Sequence, residues 1–288
     1  MKRFQPDLKN AIGYQIAFAS LLGMLVVLGV SPAFAQAPST SISPSANQST
    51  FLRQHGPMRF HGIGPDGSVQ TENWSGYAVT GSGFTDAKGS WHVPEVNCNV
   101  TPNSQSAFWV GIDGWSDGTV EQTGTASNCD GTTAQYFAWY EFYPAAPVVL
   151  SNFPVEPGDV IGAEVKYLGG GKFQTRIHNH RTGQLYVKTQ KLSSADRTSA
   201  EWIAEAPCCT SGGGYLPLAD FHVASYGLDY TSDHGTNTAI DSSTSGPISA
   251  FGNNIEEITM VSSGGVTEAV PTSLTSDGTS FRVWWEAE

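Results

Sequence analysis

Residues 135–143 read Gln-Tyr-Phe-Ala-Trp-Tyr-Glu-Phe-Tyr (QYFAWYEFY). In an extended strand, side chains alternate between two faces. Gln135, Phe137, Trp139, Glu141 and Tyr143 therefore share one side. Antiparallel sheets commonly present one apolar and one polar face. A strand aromatic on both predicts one face in the core and the other lining a groove. Glu141 is then a carboxyl among rings. Such burial raises a carboxyl's pKa, and the group can take a proton from water and later hand it to a leaving amine.

The same texture runs outward from this stretch. Short runs of β-branched and aromatic residues recur between Gly, Pro, Asn, Asp and Ser clusters, the pattern of strands and turns. Strands are predicted near residues 74–79, 89–93, 107–112, 120–123, 135–143, 159–167, 173–180, 184–189, 200–206, 221–226, 255–261 and 281–285. Arg181-Thr182-Gly183-Gln184 reads as a hairpin turn. No stretch of about 12 residues carries a clean helical period. Many short strands argue for an all-β sandwich or barrel, with no internal repeat and no second domain boundary.

Composition narrows the function. The chain has 288 residues and a formal net charge of -12, which disfavours nucleic acid and anionic membrane as partners. From Thr71 onward only Lys88, Lys166, Lys172, Arg176, Arg181, Lys188, Lys191, Arg197 and Arg282 carry fixed positive charge. In strong acid carboxylates are neutral, so a chain poor in bases repels itself little. This fits work in acid, and equally an ordinary acidic secreted protein.

Lys2, Arg3 and Lys9 precede an apolar run from Ala17 to Val30 and a small-x-small site at Ala33-Phe34-Ala35. That is the grammar of an export signal over residues 1–35. The run is shorter than the ~20 residues needed to span a bilayer, so a secreted mature protein free of the membrane is expected. Residues 36–70, rich in Ser, Thr and Pro, read as a pro-segment or linker, and 71–288 as the functional domain. Export permits disulfides. Of three pairings, Cys98 with Cys129 is favoured, since both sit in loop-like segments close in the chain. Cys208 and Cys209 either bridge each other or stay free.

Other motifs carry weaker chemical signals. Gly114-Trp115-Ser116-Asp117-Gly118 matches the serine-hydrolase elbow, which requires a following helix; the next residues, TVEQTGT, are strand-like. His178 and His180 lack a third ligand at a fixed spacing, so no metal is expected. Asn73-Trp74-Ser75 and Asn99-Val100-Thr101 are glycosylation patterns. Gln122, in Val120-Glu121-Gln122-Thr123-Gly124, carries an amide able to donate to an oxyanion, while Glu121 faces the opposite way.

Several segments in order resemble the glutamic peptidases, or eqolisins: NWSGYAVTGSGFT (73–85), WHVPEV (91–96), FWVGIDGW (108–115), EQTGT (121–125), AWYEFYP (138–144), VEPGD (155–159), AEWIAEAP (200–207) and PLADF (217–221). The resemblance implies an antiparallel β-sandwich of two large sheets with a concave, substrate-binding face. It implies a secreted acid endopeptidase acting on protein or peptide substrate without metal or cofactor. It places the catalytic pair at Glu141 and Gln122, with Trp109 and Asp113 supporting and Trp74 beside the cleft. Trp139 and Tyr143 complete the expected aromatic groove, and a monomer is expected. Departures are Trp74-Ser75-Gly76, where the family often has WGG, the Cys208-Cys209 pair, and residues 226–247. The rivals are a glycosidase, which needs two carboxylates flanking the bond, and a lectin-like binding module.

Overall fold

A computed structural model describes residues 53–208 and 214–287. The export signal and most of the Ser/Thr/Pro-rich segment lie outside the described residues. Among those described, the chain forms β1 (Phe60–Ile63), β2 (Val69–Thr71), β3 (Trp74–Thr80), β4 (Asp86–His92), β5 (Ala107–Ile112), β6 (Val120–Asp130), β7 (Thr133–Tyr143), β8 (Val148–Val149), β9 (Val160–Gly169), β10 (Lys172–Asn179), β11 (Gln184–Lys191), β12 (Ser199–Glu205), β13 (Val223–Tyr226), β14 (Thr238–Ile240), β15 (Ser245–Pro247), β16 (Ile255–Val261), β17 (Thr267–Pro271) and β18 (Phe281–Trp285). Helix is confined to α1 (Leu228–Thr231) and a 3-10 segment, Ile248–Asn254.

Every strand read from the sequence is present. β6 runs seven residues past its expected end, to Asp130, through Gly124, Ser127 and Asn128, which carry no strand signal of their own. The hairpin between β10 and β11 turns through Gly183 at φ 70, a conformation glycine adopts without steric cost.

Pairing is antiparallel throughout, except that β2 runs parallel to β16. The neighbour order is β8-β7-β6-β5-β12-β3-β16-β17-β18-β13-β4-β9-β10-β11. In place of two separately bonded sheets, the strands form one continuous hydrogen-bonded ribbon. β9 lies against β5 and β6, and β10 against β6, without backbone pairing.

Between these unpaired strands lies the larger core. Phe108, Val110 and Ile112 of β5, Tyr140 and Phe142 of β7, Ile161 and Val165 of β9, and Trp202 of β12 belong to it. The alternate residues of β3, β5, β7 and β12 point the other way into a second cluster, with Trp74, Trp109, Trp139 and Ile203 fully buried. QYFAWYEFY thus has two buried faces, each buried ring contributing roughly 1.5–3 kcal/mol. The second face is the one that carries Glu141.

Cys98 and Cys129 are joined, closing a loop with a sequence separation of 31 residues. No cysteine among the described residues is free, and Cys208 is also in a disulfide. Chain-entropy reasoning assigns a loop of that length roughly 3–4 kcal/mol. The double variant Cys98→Ser/Cys129→Ser should lose about that much in denaturant unfolding; an unchanged midpoint would contradict it.

Candidate active site

Gln122 on β6 and Glu141 on β7 are direct cross-strand partners. Both side chains are fully buried, and Gln122 Nε2 donates to Glu141 Oε2 at 3.2 Å. Two residue pairs further along, on the same face, Gly124 lies between Trp109 and Trp139. A Cβ at Gly124 would come within 2.3 Å of the Phe108 carbonyl and 2.6 Å of Trp109 Cβ. Glycine there lets Trp109 settle across the strand beside the amide. Trp74 meets Trp109 edge to face, with ring centroids 5.0 Å apart.

Two further carboxyls share this face. On β12, Glu201 lies opposite Gly111 and Ala78, and Glu205 opposite Ala107 and Trp74. Trp109 Nε1 donates to Glu205 Oε2 at 2.8 Å.

Residues 53–59 cross the pair as a strap. The His55 N–H donates to Glu141 Oε2 at 3.0 Å, and the His55 carbonyl accepts from Gln122 Nε2 at 2.5 Å. The His55 ring stacks on Trp139 at 3.8 Å and 10°, and its Nδ1 lies 2.9 Å from Glu205 Oε2. The strap is tied down on either side. Cys208 N donates to the Gln54 carbonyl and Met58 N to that of Gly114. Asn73 accepts from Arg59 N and donates to the Pro57 carbonyl. The Asn73 amide is buried and committed to these bonds.

Electrostatics follow burial. Desolvation pushes the Glu141 carboxyl well above its ordinary range; the His55 N–H pulls it back and the neighbouring Glu205 adds to the rise. Burial likewise drives Glu121, Glu201 and Glu205 well up, and pushes the His55 imidazole down to about 3.

A model described as the Peptidase A4 family matches residues 72–270. The chain belongs to the peptidase A4 family. Among curated relatives, this A4 chain is 32% identical to scytalidopepsin B of Scytalidium lignicola over 53% of its own length and 60% of the relative's. It is 28% identical to aspergillopepsin-2 of Aspergillus niger over 52% and 61%. The matches thus span about three fifths of each relative. Solved structures of scytalido-glutamic peptidase with a transition-state analogue inhibitor and of aspergilloglutamic peptidase from Aspergillus niger share the fold. Their TM-scores are 0.61 and 0.52, at 23% and 25% identity, covering 75% and 64% of this chain and 98% and 99% of theirs.

The expected site residues of the A4 chain are distributed as follows. Glu141, Gln122, Trp109 and Trp139 converge. Trp74 reaches the group through Trp109. The ring of Tyr143, at the end of β7, lies beside Gly56. Asp113 makes no bond to the pair. Its backbone is left-handed, at φ 72, and its carboxylate accepts from Arg197 N and Thr198 N, so it pins a loop at the end of β5. Burial raises its pKa to about 6. The three tryptophans expected to line an open groove are instead fully buried, with His55 stacked on Trp139, while Tyr143 is half-buried. Ser116 has β6, not a helix, after it. The rings of His178 and His180 lie 4.5 Å apart, and no cluster among the described residues is placed to hold a metal. Sequence reasoning missed Glu201, Glu205 and His55. Strand alternation in AEWIAEAP, with Glu201, Ile203 and Glu205 on one side, was the available signal for the first two.

The buried glutamates bind protons more tightly folded than unfolded. The stability tied to them is therefore complete below the unfolded value, near 4.5, and is lost as pH rises through the folded one. Asp159 and Asp277, held low by hydrogen bonds, act in the opposite sense, but only below their ordinary 3.8. Unfolding midpoints should fall from pH 4.5 toward neutrality, and Glu201→Gln should flatten that slope. A midpoint that rises across this window would refute the account.

Proposed function

We propose that this chain is a secreted acid endopeptidase in which Glu141 activates water and Gln122 stabilises the oxyanion. The observation carrying this reading is the buried Gln122–Glu141 pair with a peptide N–H and C=O hydrogen-bonded to it. A backbone carbonyl on the Gln122 amide is in the position of a carbonyl about to be attacked. Membership of a peptidase family supports the same chemistry. Export is supported by the leader-like residues 1–35 and the disulfides.

In this mechanism ionised Glu141 takes a proton from water as the water oxygen bonds to the scissile carbonyl carbon. The carbonyl oxygen, now negative, accepts from Gln122 Nε2–H. Protonated Glu141 then delivers its proton to the peptide nitrogen as the C–N bond breaks, leaving a carboxylic acid and an amine. No metal or cofactor enters.

The strap must leave before a substrate can bind. Residues 53–59 precede the matched region 72–270, which supports removal of an amino-terminal segment. β2 is paired with β16 and β1 with β2, so a cut before Phe60 spares the sheet, whereas one near residue 70 strips paired strands. Departure of the strap hydrates Glu141 and brings its carboxyl back toward the ordinary range, where it is ionised in mild acid.

The test is hydrolysis of denatured protein at pH 3–4 with a pepstatin-type inhibitor and a chelator present. Glu141→Gln should abolish turnover. Gln122→Ala should lower it by about 10²–10³, each with an unchanged circular dichroism spectrum. Full activity in either variant overturns the assignment. Release of sugar from polysaccharide, with no peptide released, would favour a glycosidase.

A further inference from the structure

We propose that the outer face of the β4, β9 and β10 layer carries a second binding site, for a sulfate- or phosphate-type oxyanion that docks in acid. The site stands independently of the peptidase reading. Position in the fold separates the two. On β9, Ile161, Ala163 and Val165 face the larger core, and on β10 Thr175, Ile177 and Asn179 are buried. Their neighbours Gly162 and Glu164, and Arg176, His178 and His180, therefore face outward. The larger core, with β5 and β6 behind it, lies between this face and Glu141. Bases are scarce in the chain, with nine Lys and Arg from Thr71 onward and 7 His in all. Yet Lys88, Arg176, His178, His180 and His234 all line one cavity of about 330 Å³.

Two carboxylates hold part of this cluster. Arg176 Nη1 donates to Glu164 Oε2 at 3.0 Å, and Lys88 Nζ lies 3.6 Å from Glu164 Oε1. His180 Nε2 lies 3.1 Å from Asp233 Oδ2, in the loop after α1. A Cβ at Gly162 would come within 2.7 Å of Asp233 Oδ2 and 3.1 Å of His180 Nε2, so glycine there lets this pair close over the strand. The ring of His178 lies 4.5 Å from that of His180. Asp86 and Lys166, opposite each other one step beyond on β4 and β9, pair at 3.4 Å. β11 adds only Leu185 to the wall. Burial first, and then His180, hold the His178 imidazole below its ordinary value, with Arg176 adding and Asp233 opposing.

Acid protonates carboxyls and imidazoles alike. Carboxyls then release the cations they hold, and imidazoles turn from neutral to positive. Five positive groups around one cavity repel one another, and an anion among them relieves that repulsion. A carboxylate ligand loses its charge in the same acid. Sulfate and phosphate groups keep theirs, and the guanidinium of Arg176 matches their oxygens with paired donors.

The test is calorimetric titration of the full chain carrying Glu141→Gln, which rules out self-cleavage. It is run at pH 3 and pH 7.5 with a chelator present and ionic strength held constant with chloride. One arm uses inorganic sulfate and the other a monosulfated sugar. Sulfate should bind about tenfold or more tightly at pH 3 than at pH 7.5. Arg176→Gln, and separately His178→Gln/His180→Gln, should each weaken binding at pH 3 about tenfold or more, with circular dichroism unchanged. Should either fail to fold, Lys88→Gln tests the same cavity from β4. Tighter binding of the sugar would support the site with an ester as its ligand, and tighter binding of sulfate would support it with the free ion. No binding at pH 3, equal binding at both pH values, or binding untouched by the substitutions, an adventitious ion only, overturns the site. None of these readouts involves hydrolysis, so the peptidase reading stands or falls separately.

Discussion

The site depends on the register of one hairpin. β6 and β7 pair from Val120 with Tyr143 to Asp130 with Thr133 without a slip. Because side chains alternate with a period of two, a shift of one residue would send Glu141 to the other face and bury it among Tyr140's neighbours. Gln122 would then face a phenylalanine or a tyrosine. The length of the pairing and the two-sided aromatic packing of β7 make such a slip expensive, since every ring would leave its cluster. The amide and the carboxyl are thus set on rigid strands, and loop motion does not govern their separation.

Around that pair the protein tolerates an unusual load of unneutralised acid. Glu121, Glu141, Glu201 and Glu205 are all fully buried, and none pairs with a lysine or arginine among the described residues. A buried carboxyl without a cation beside it avoids the cost of its charge by holding a proton. Here the same scarcity of bases that limits repulsion in acid leaves the interior carboxyls to be satisfied by protons. Surface composition and interior chemistry are thus both consistent with the acid endopeptidase proposed above.

Much of this was legible in the chain. Strands with strong aromatic or β-branched texture announce themselves, and alternation alone places Glu141 among rings. Gln122 had no such signal. A lone amide in a strand looks ordinary, and ordered motifs across the chain were needed to single it out. β1, β2, β8, β14, β15 and β17 were missed because runs of two to five residues are too short to show a period; tertiary pairing makes them strands. The length of β6 was hidden because the small residues that accept Trp109 and Trp139 lack strand propensity. Asp113 sits in a legible motif, yet its bonds run to a loop more than 80 residues away in the chain. His55 was invisible because nothing in a Ser- and Pro-rich extension says where it docks.

The buried Asn73 side chain has a consequence for how the protein is made. Asn73-Trp74-Ser75 is an acceptor pattern for N-linked sugar, but its amide nitrogen is spent on the Pro57 carbonyl inside the fold. A glycan transferred to the nascent chain would occupy that nitrogen before β3 could seat, and the strap and its neighbouring strand would have no place to close. Exposed Asn99 has no such conflict. Sugar on Asn73 and closure of the strap are therefore mutually exclusive, whereas sugar on Asn99 leaves these contacts intact.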